Sequence, residues 1–207
     1  MPKADRPSIC VILPNFNGQK LLAKYVPSLI QAMAEHDSLV IIDDASTDDS
    51  VTWLKSTWSL QPSTWRPAEL LASDAVADYL VSARDPRVRL IVNPHNLRFG
   101  ASVNRAVRWS DAPYVFVVNT DVKVNEDIFA RLIPHFADPM MFAVGCHERE
   151  AHHQGESAGR NRLWFEKGMF RHSKAEQFVT GETAWASGGS ALFDRSKWLA
   201  LGGFDPV

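Results

Sequence analysis

A chain of 207 residues that is 45% hydrophobic and 22% charged can bury one α/β core and is short for two domains. Its formal net charge of -2 excludes a general nucleic-acid binder, which needs an excess of Lys and Arg to neutralise phosphates. No apolar run reaches the roughly 18 to 20 residues of a membrane span, Met1 to Pro7 holds no apolar signal core, and Cys10 and Cys146 read as small buried hydrophobes; together these predict a soluble, cytoplasmic chain without a disulfide framework.

Ser8 to Leu13 is a continuous apolar run that predicts a buried strand, broken by Pro14-Asn15-Phe16-Asn17-Gly18. Leu21, Leu22, Tyr25, Leu29 and Met33 then recur on one side of a helix, and Leu39 to Ile42 gives a second strand that ends in Asp43-Asp44-Ala45-Ser46-Thr47-Asp48. Ser46 with Asp49 three residues on is a weak capping box, which predicts a helix starting there and carrying Val51 and Leu54. Residues 56–86 are read as a helical insertion, with a helix from about Pro67 to Arg84 packed on the periphery or serving as a lid.

Val88 to Val92 is the third strand, Gly100 to Trp109 a helix, and Tyr114 to Val118 the fourth strand. Asn125 is the expected cap of a helix whose first turn holds Glu126 and Asp127. Met141 to Gly145 and Ser190 to Phe193 complete the strands, and the latter leads into a helix that Asp194 caps and Gly202 ends. Residues 147–184 are polar and poor in period, which predicts a functional loop or an antiparallel excursion over the carboxyl edge of the sheet.

Alternation of this kind predicts a mostly parallel sheet with helices on both faces. Two apolar strands deliver polar groups abruptly at their ends: Val118 leads into Asn119-Thr120-Asp121, and Ile42 into Asp43-Asp44. Ligands bind outside the carboxyl ends of strands in open α/β sheets, so the pair reads as a nucleotide and metal site.

Five motifs in order, Ile9-Cys10-Val11-Ile12-Leu13-Pro14-Asn15-Phe16-Asn17, Val40-Ile41-Ile42-Asp43-Asp44-Ala45-Ser46-Thr47-Asp48, Asn93 to Asn104, Asn119-Thr120-Asp121, and the pair Gly188 to Phe193 with Leu201 to Asp205, resemble the family 2 glycosyltransferases over essentially the whole chain. The resemblance implies a GT-A fold, a UDP-, dTDP- or GDP-linked sugar donor, Mg²⁺ or Mn²⁺, and transfer with inversion to a saccharide or lipid-linked saccharide acceptor. It further implies a role in cell-surface polysaccharide synthesis, with peripheral contact at the inner face of a membrane.

By the same resemblance Asp43 accepts from a base N–H, with Pro14, Asn15, Phe16 and Asn17 lining the base and Asp44 beside it. Asn96, Arg98, Gly100, Asn104 and Asn119 belong to the nucleotide-sugar side, Asp121 to the metal, and Gly188, Gly189 and Asp205 to the acceptor side. The physical reading agrees in kind. Mg²⁺ and Mn²⁺ take oxygen ligands, often one or two carboxylates plus substrate phosphates. Arg98 precedes a helix start, where a cation and the positive helix end can both face a diphosphate, or it is a surface arginine lying along its stem. Gly188 and Gly189 admit close backbone approach, or form a bulge before a strand.

The chain departs from the family pattern at Asn119, where many relatives have the first carboxylate of Asp-x-Asp. Asn-containing forms are familiar among rhamnosyltransferase-like members, which favours a deoxysugar donor such as dTDP-rhamnose and weakens the expected metal dependence. In relatives the catalytic base follows the Gly-Gly-Phe-Asp segment, so the resemblance places the base beyond Val207, and residues 1–207 are expected to form a single domain incomplete at its C-terminus. The alternative is a nucleotide-sugar binding fragment without transferase activity. A nucleotidyltransferase would show a Gly-rich basic loop after the first strand, which Pro14 to Lys20 lacks.

His147, His152 and His153 beside Cys146 match no zinc spacing. The basic run Arg160, Arg162, Lys167, Arg171, His172 and Lys174 is interleaved with Leu163, Trp164, Phe165, Met169 and Phe170. It reads either as a solvated loop with a few packed aromatics or as a surface for an anionic acceptor or membrane.

Overall fold

Ile9 to Leu13 and Leu39 to Ile42 are at most 1% exposed at every residue, which only strands covered on both faces allow. They form the centre of the sheet in the computed structural model, which describes residues 3–67, 70–71, 74–149, 157–175 and 179–205. In chain order the elements are β1 (Ile9–Asn15), α1 (Gln19–Ala32), β2 (Ser38–Asp43), α2 (Ser50–Thr57), β3 (Leu60–Pro62), β4 (Asp78–Ser82) and β5 (Val88–Val92). There follow α3 (Arg98–Arg108), β6 (Tyr114–Val118), α4 (Ile128–Leu132), β7 (Ala143–Gly145), β8 (Glu148–Arg149) and β9 (Ser157–Ala158). A hairpin of β10 (Asn161–Glu166) and β11 (Met169–Lys174), then β12 (Ser190–Asp194) and α5 (Arg195–Leu201), complete the described chain.

The main sheet has the order β3-β4-β5-β2-β1-β6-β12-β7. Its middle strands β5, β2, β1 and β6 are parallel, while β4 and β3 extend one edge and β12 and β7 the other in antiparallel fashion. The period-2 alternation of the strands builds two cores. Ile9, Val11, Leu13, Leu39 and Ile41 pack with Leu22 and Leu29 of α1, Leu54 of α2 and Phe129 of α4. Cys10, Ile12, Val40 and Ile42 face the other way, onto Val103, Ala106 and Val107 of α3 and Trp198 of α5. The crossovers through α1 and α2 therefore lie on one face of the sheet and the crossover through α3 on the other, so helices cover both faces as in a doubly wound fold.

Several expected elements shift. Residues 68–69 and 72–73 of the helix expected from Pro67 to Arg84 lie outside the described residues, and its later part is β4, whose Leu80 pairs with Leu90 and whose Tyr79 ring lies 4.7 Å from Trp109. Pairing to the open edge of β5 outweighs the helical pattern there, because Tyr79-Leu80-Val81 fits a half-buried pleat. The helix expected from Ser46 starts instead at Ser50, since the Ser46 hydroxyl is held by Asp43. Asn125 caps no helix through its side chain; its carbonyl accepts from Ile128 N at 3.2 Å, and α4 begins after Asp127. The expected strand from Met141 is confined to Ala143–Gly145, and α3 starts two residues before Gly100. At α5 the expectation holds: the Asp194 side chain accepts from Lys197 N at 3.1 Å, and Gly202 ends the helix at φ 85°. Among the described residues no helix is long and apolar enough to cross a membrane.

Candidate nucleotide-sugar site at the sheet's carboxyl edge

The strand order reverses at β1, which lies between β2 and β6, so the crevice outside its carboxyl end is where a doubly wound sheet opens to a ligand. Residues 15–18, 43–48 and 119–121 meet there. An added Cβ on Gly18 would fall 3.7 Å from Thr120 Oγ1, which places the β1 turn directly beside the β6 turn.

The β2 end is a closed hydrogen-bond knot. Asp43 Oδ1 accepts from Asn15 Nδ2 at 2.8 Å and from Ser46 Oγ at 2.7 Å, and Oδ2 accepts from Ser46 N at 2.9 Å. Asn17 N donates to Ser46 Oγ at 2.8 Å, and Asn17 Oδ1 accepts from Thr47 N at 2.7 Å. Left-handed backbone at Asn17 (φ 54°) and Ala45 (φ 61°) bends both turns into this arrangement. Asp43 is 0% exposed. The sequence reading has its carboxylate meeting a base directly; in the structure it is enclosed, with three chain donors on its oxygens, and ties together the two turns that line the crevice. Phe16, at the apex of the first turn, is 54% exposed and offers an open ring face, with Pro14 half-buried beneath it. Among the described residues Asn15 Oδ1 is buried without a partner, and a Cβ on Gly18 would fall 2.5 Å from it, so only glycine fits at that helix start.

Asp44 is held differently. Its Oδ1 accepts from Asn93 Nδ2 and from Leu97 N, each at 2.8 Å, which ties β2 to the β5 end and to the start of α3. Among the described residues its Oδ2 makes no hydrogen bond. Behind it, Asn93 Nδ2 also donates to Ser102 Oγ at 2.9 Å, and Asn93 Oδ1 accepts from Arg105 Nη1 at 2.6 Å. Burial lowers the Arg105 pKa, and the charge of Asp44 is among the influences that oppose this. Asn93, Ser102 and Arg105 received no role from the sequence, and Ser46 only that of a helix cap. Asn93 could have been found, since it ends an apolar strand just as Asn119 does.

The β6 end is open. Asn119 and Asp121 are exposed, and the Asp121 carboxylate has no hydrogen bond or ion pair among the described residues. Asn119 N donates to Gly189 O at 2.9 Å, and a Cβ on Gly189 would approach Asn119 Nδ2 to 3.0 Å, so glycine there lets the β12 turn lie against the amide. Arg98 opens α3 at the same edge, exposed and at φ 66°, with its backbone N–H donating to Asn96 Oδ1 at 2.9 Å. No group of three or more His, Cys, Asp or Glu gathers among the described residues. The exposed Asp121 carboxylate, two residues from the exposed Asn119 amide, fits an Mg²⁺ or Mn²⁺ ion that takes its remaining ligands from substrate phosphates and water.

Gly100 and Asn104, expected on the donor side, have another task. Asn104 Nδ2 donates to Phe204 O at 2.7 Å and its Oδ1 accepts from Phe204 N at 2.9 Å, imitating a strand pairing with a single side chain. A Cβ on Gly100 would sit 3.1 Å from Asp205 O, and one on Gly203 (φ 78°) only 2.1 Å from Asn104 Oδ1. Phe99 stacks on Phe204 with ring centroids 5.7 Å apart, and a Cβ on Gly188 would touch both rings at 3.2 Å. These residues form a seat that fixes Gly188 and Asp205 against the first turns of α3.

Two expectations fall partly or wholly beyond this seat. Val207, past which the resemblance places the catalytic base, lies outside the described residues, which end at Asp205; no base is assigned among them. His152 and His153 of the histidine cluster also lie outside the described residues. Burial pushes the neighbouring Cys146 thiol up to about 12, which keeps it protonated at neutral pH.

The sequence matches the family described as glycosyl transferase family 2 over residues 10–65 and 71–199. The chain belongs to that family. No match is found among curated proteins. Among solved structures, this family 2 chain is similar to the mannosyltransferase PcManGT from Pyrobaculum calidifontis in complex with GDP-Man and Mn²⁺, with a TM-score of 0.65 at 18% identity. That alignment covers 99% of this chain and 49% of the other. It is also similar to S. aureus TarS 1-349 in complex with UDP-GlcNAc, with a TM-score of 0.52 at 16% identity over 72% of this chain and 36% of that one. The chain thus spans about half the length or less of these structures, and what they share with it is the GT-A α/β fold.

Proposed function

We propose that the protein is a glycosyltransferase that moves a sugar from a nucleotide-diphosphate donor to an acceptor hydroxyl with inversion. The observation that carries the reading is that the ends of β2 and β6 and the start of α3 lie at one edge of a family 2 sheet and carry Asp44, Asn119, Asp121 and Arg98. In this reading Phe16 covers the base and Asp44 Oδ2 accepts its imide or amide N–H. Asp43 positions both turns without touching the ligand. Asp121 and the Asn119 amide oxygen would hold a divalent ion, which when bound neutralises charge on the leaving diphosphate. Arg98 and the amino end of α3 face the same charge, and their stabilisation counts most as the glycosidic oxygen takes up negative charge. Gly188, Gly189 and Asp205 form the acceptor side, where a saccharide or lipid-linked saccharide hydroxyl attacks in line and loses its proton to a carboxylate.

The neutral Asn119 supports a deoxysugar donor on dTDP within this scheme, as in the rhamnosyltransferase-like pattern. Titration calorimetry with UDP, dTDP and GDP, each with and without Mn²⁺, tests the proposal. Affinity should rise with the ion, and Asp44→Asn, which keeps an acceptor toward Asn93 while replacing the free oxygen by a donor, should weaken nucleotide binding by about 1–3 kcal/mol. Failure of all three nucleotides to bind would overturn the reading, and unchanged affinity in Asp44→Asn would remove Asp44 from the base.

A further inference from the structure

The β10–β11 hairpin is the one extended element in the described chain whose strands are exposed on nearly every residue. Lys167 (φ 50°) and Gly168 (φ 80°) make the two-residue turn that matches strand twist, so the hairpin is locally well specified. Its alternation sorts side chains onto two faces. Leu163, Phe165 and Phe170 share one, while Trp164 and Met169 share the other with Arg162 and Arg171. Neither face finds a core. Phe170 is 74% exposed, Phe165 65%, Met169 56% and Leu163 50%, and Phe165 and Phe170 contact each other edge to face at 5.3 Å. A two-stranded hairpin is marginal in water by itself, and so much apolar surface at one tip marks a surface that meets something else.

Charge indicates what that is. Across residues 160–174 five Lys and Arg stand against the single acid Glu166, in a chain whose net charge is -2. Glu166 approaches Arg171 at 3.4 Å and Lys167 at 3.9 Å, which leaves Arg162 and Lys174 along the flanks without an acidic neighbour among the described residues. An apolar, aromatic tip ringed by cations is complementary to the boundary of an anionic bilayer, where rings enter the acyl edge and cations reach lipid phosphates. A second copy of the chain would bring the same positive charge to the contact.

We propose that the β10–β11 hairpin docks the protein on an anionic lipid surface. Its root is tied to the segment that feeds the acceptor side: Asn161 N donates to Thr183 Oγ1 and Ala184 N to Asn161 O, each at 2.9 Å. Four residues beyond Ala184 lies Gly188, so docking holds the acceptor side of the crevice near the bilayer. The docking itself does not depend on the proposed transfer chemistry.

Co-sedimentation of the protein with phosphatidylcholine vesicles, with and without phosphatidylglycerol, tests this. Binding is expected to the anionic vesicles only and to fall with salt. Phe165→Ser with Phe170→Ser, and separately Lys167→Glu with Arg171→Glu, should each weaken it by about tenfold or more, from the loss of apolar insertion or of headgroup attraction. Nucleotide affinity of both double variants, measured alongside, should match the parent, which separates loss of docking from loss of fold or failure of the donor site. Absence of vesicle binding by the parent, or equal binding by the variants, would overturn the proposal. So would a dimer in light scattering that Phe165→Ser with Phe170→Ser dissolves, since a second copy would then be the occupant.

Discussion

The ends of β2 and β6 look alike in sequence and differ in what their polar groups do. Each is an apolar strand that releases carboxylate or amide groups at the same edge of the sheet. At β2 the Asp43 carboxylate is 0% exposed and accepts three hydrogen bonds from Asn15 and Ser46. At β6 Asp121 stands in solvent with its carboxylate free among the described residues. The lesson is a division of labour. A carboxylate whose two oxygens both meet chain donors builds the rigid walls of a crevice, and one with an oxygen left unpartnered is left for the ligand.

That division makes opposite demands on stability and binding, which substitutions can separate. The largest stability effect should come from Asp43→Ala, which leaves Ser46 N and Ser46 Oγ without their acceptor and Asn15 Nδ2 with only its longer bond to Ser46 Oγ at 3.2 Å. A loss of about 3 kcal/mol in urea unfolding is expected, with nucleotide affinity falling because the turns loosen. Reduced affinity at full stability would instead return Asp43 to direct contact with the base.

Asn104→Ala should come next, at about 1–2 kcal/mol, since two hydrogen bonds to Phe204 are lost from a nearly buried site. Amide exchange at Phe204 should quicken while nucleotide affinity stays within twofold, about 0.4 kcal/mol. A large loss of affinity with slow exchange at Phe204 would place Asn104 in the donor site after all. Asp121→Ala should be the mildest for the fold, within about 0.5 kcal/mol, yet should abolish the Mn²⁺-linked gain in nucleoside diphosphate affinity. A destabilisation as large as that of Asp43→Ala would erase the contrast between the two strand ends.

The sequence by itself determined the central strands β1, β2, β5, β6 and β12, the capped α5, and the edge of the sheet to which the polar strand ends are delivered. These follow from runs of apolar residues ending in polar ones, a signal contained within a few neighbouring positions. Tertiary structure decided the rest. Leu80 joined a strand because β5 offered an open edge, which no local window contains. Asp43 and Asp44 are adjacent in the chain, but beside its local donors at Ser46 the first meets Asn15, 28 residues upstream, while the second meets Asn93, 49 residues downstream, so only folding could tell the organiser from the carboxylate with an oxygen to spare. The same holds for Asn104, whose partner Phe204 lies 100 residues away. Burial and hydrogen-bond saturation are properties of what the chain brings together, and they assign the role of a polar side chain after its type and position have only nominated it.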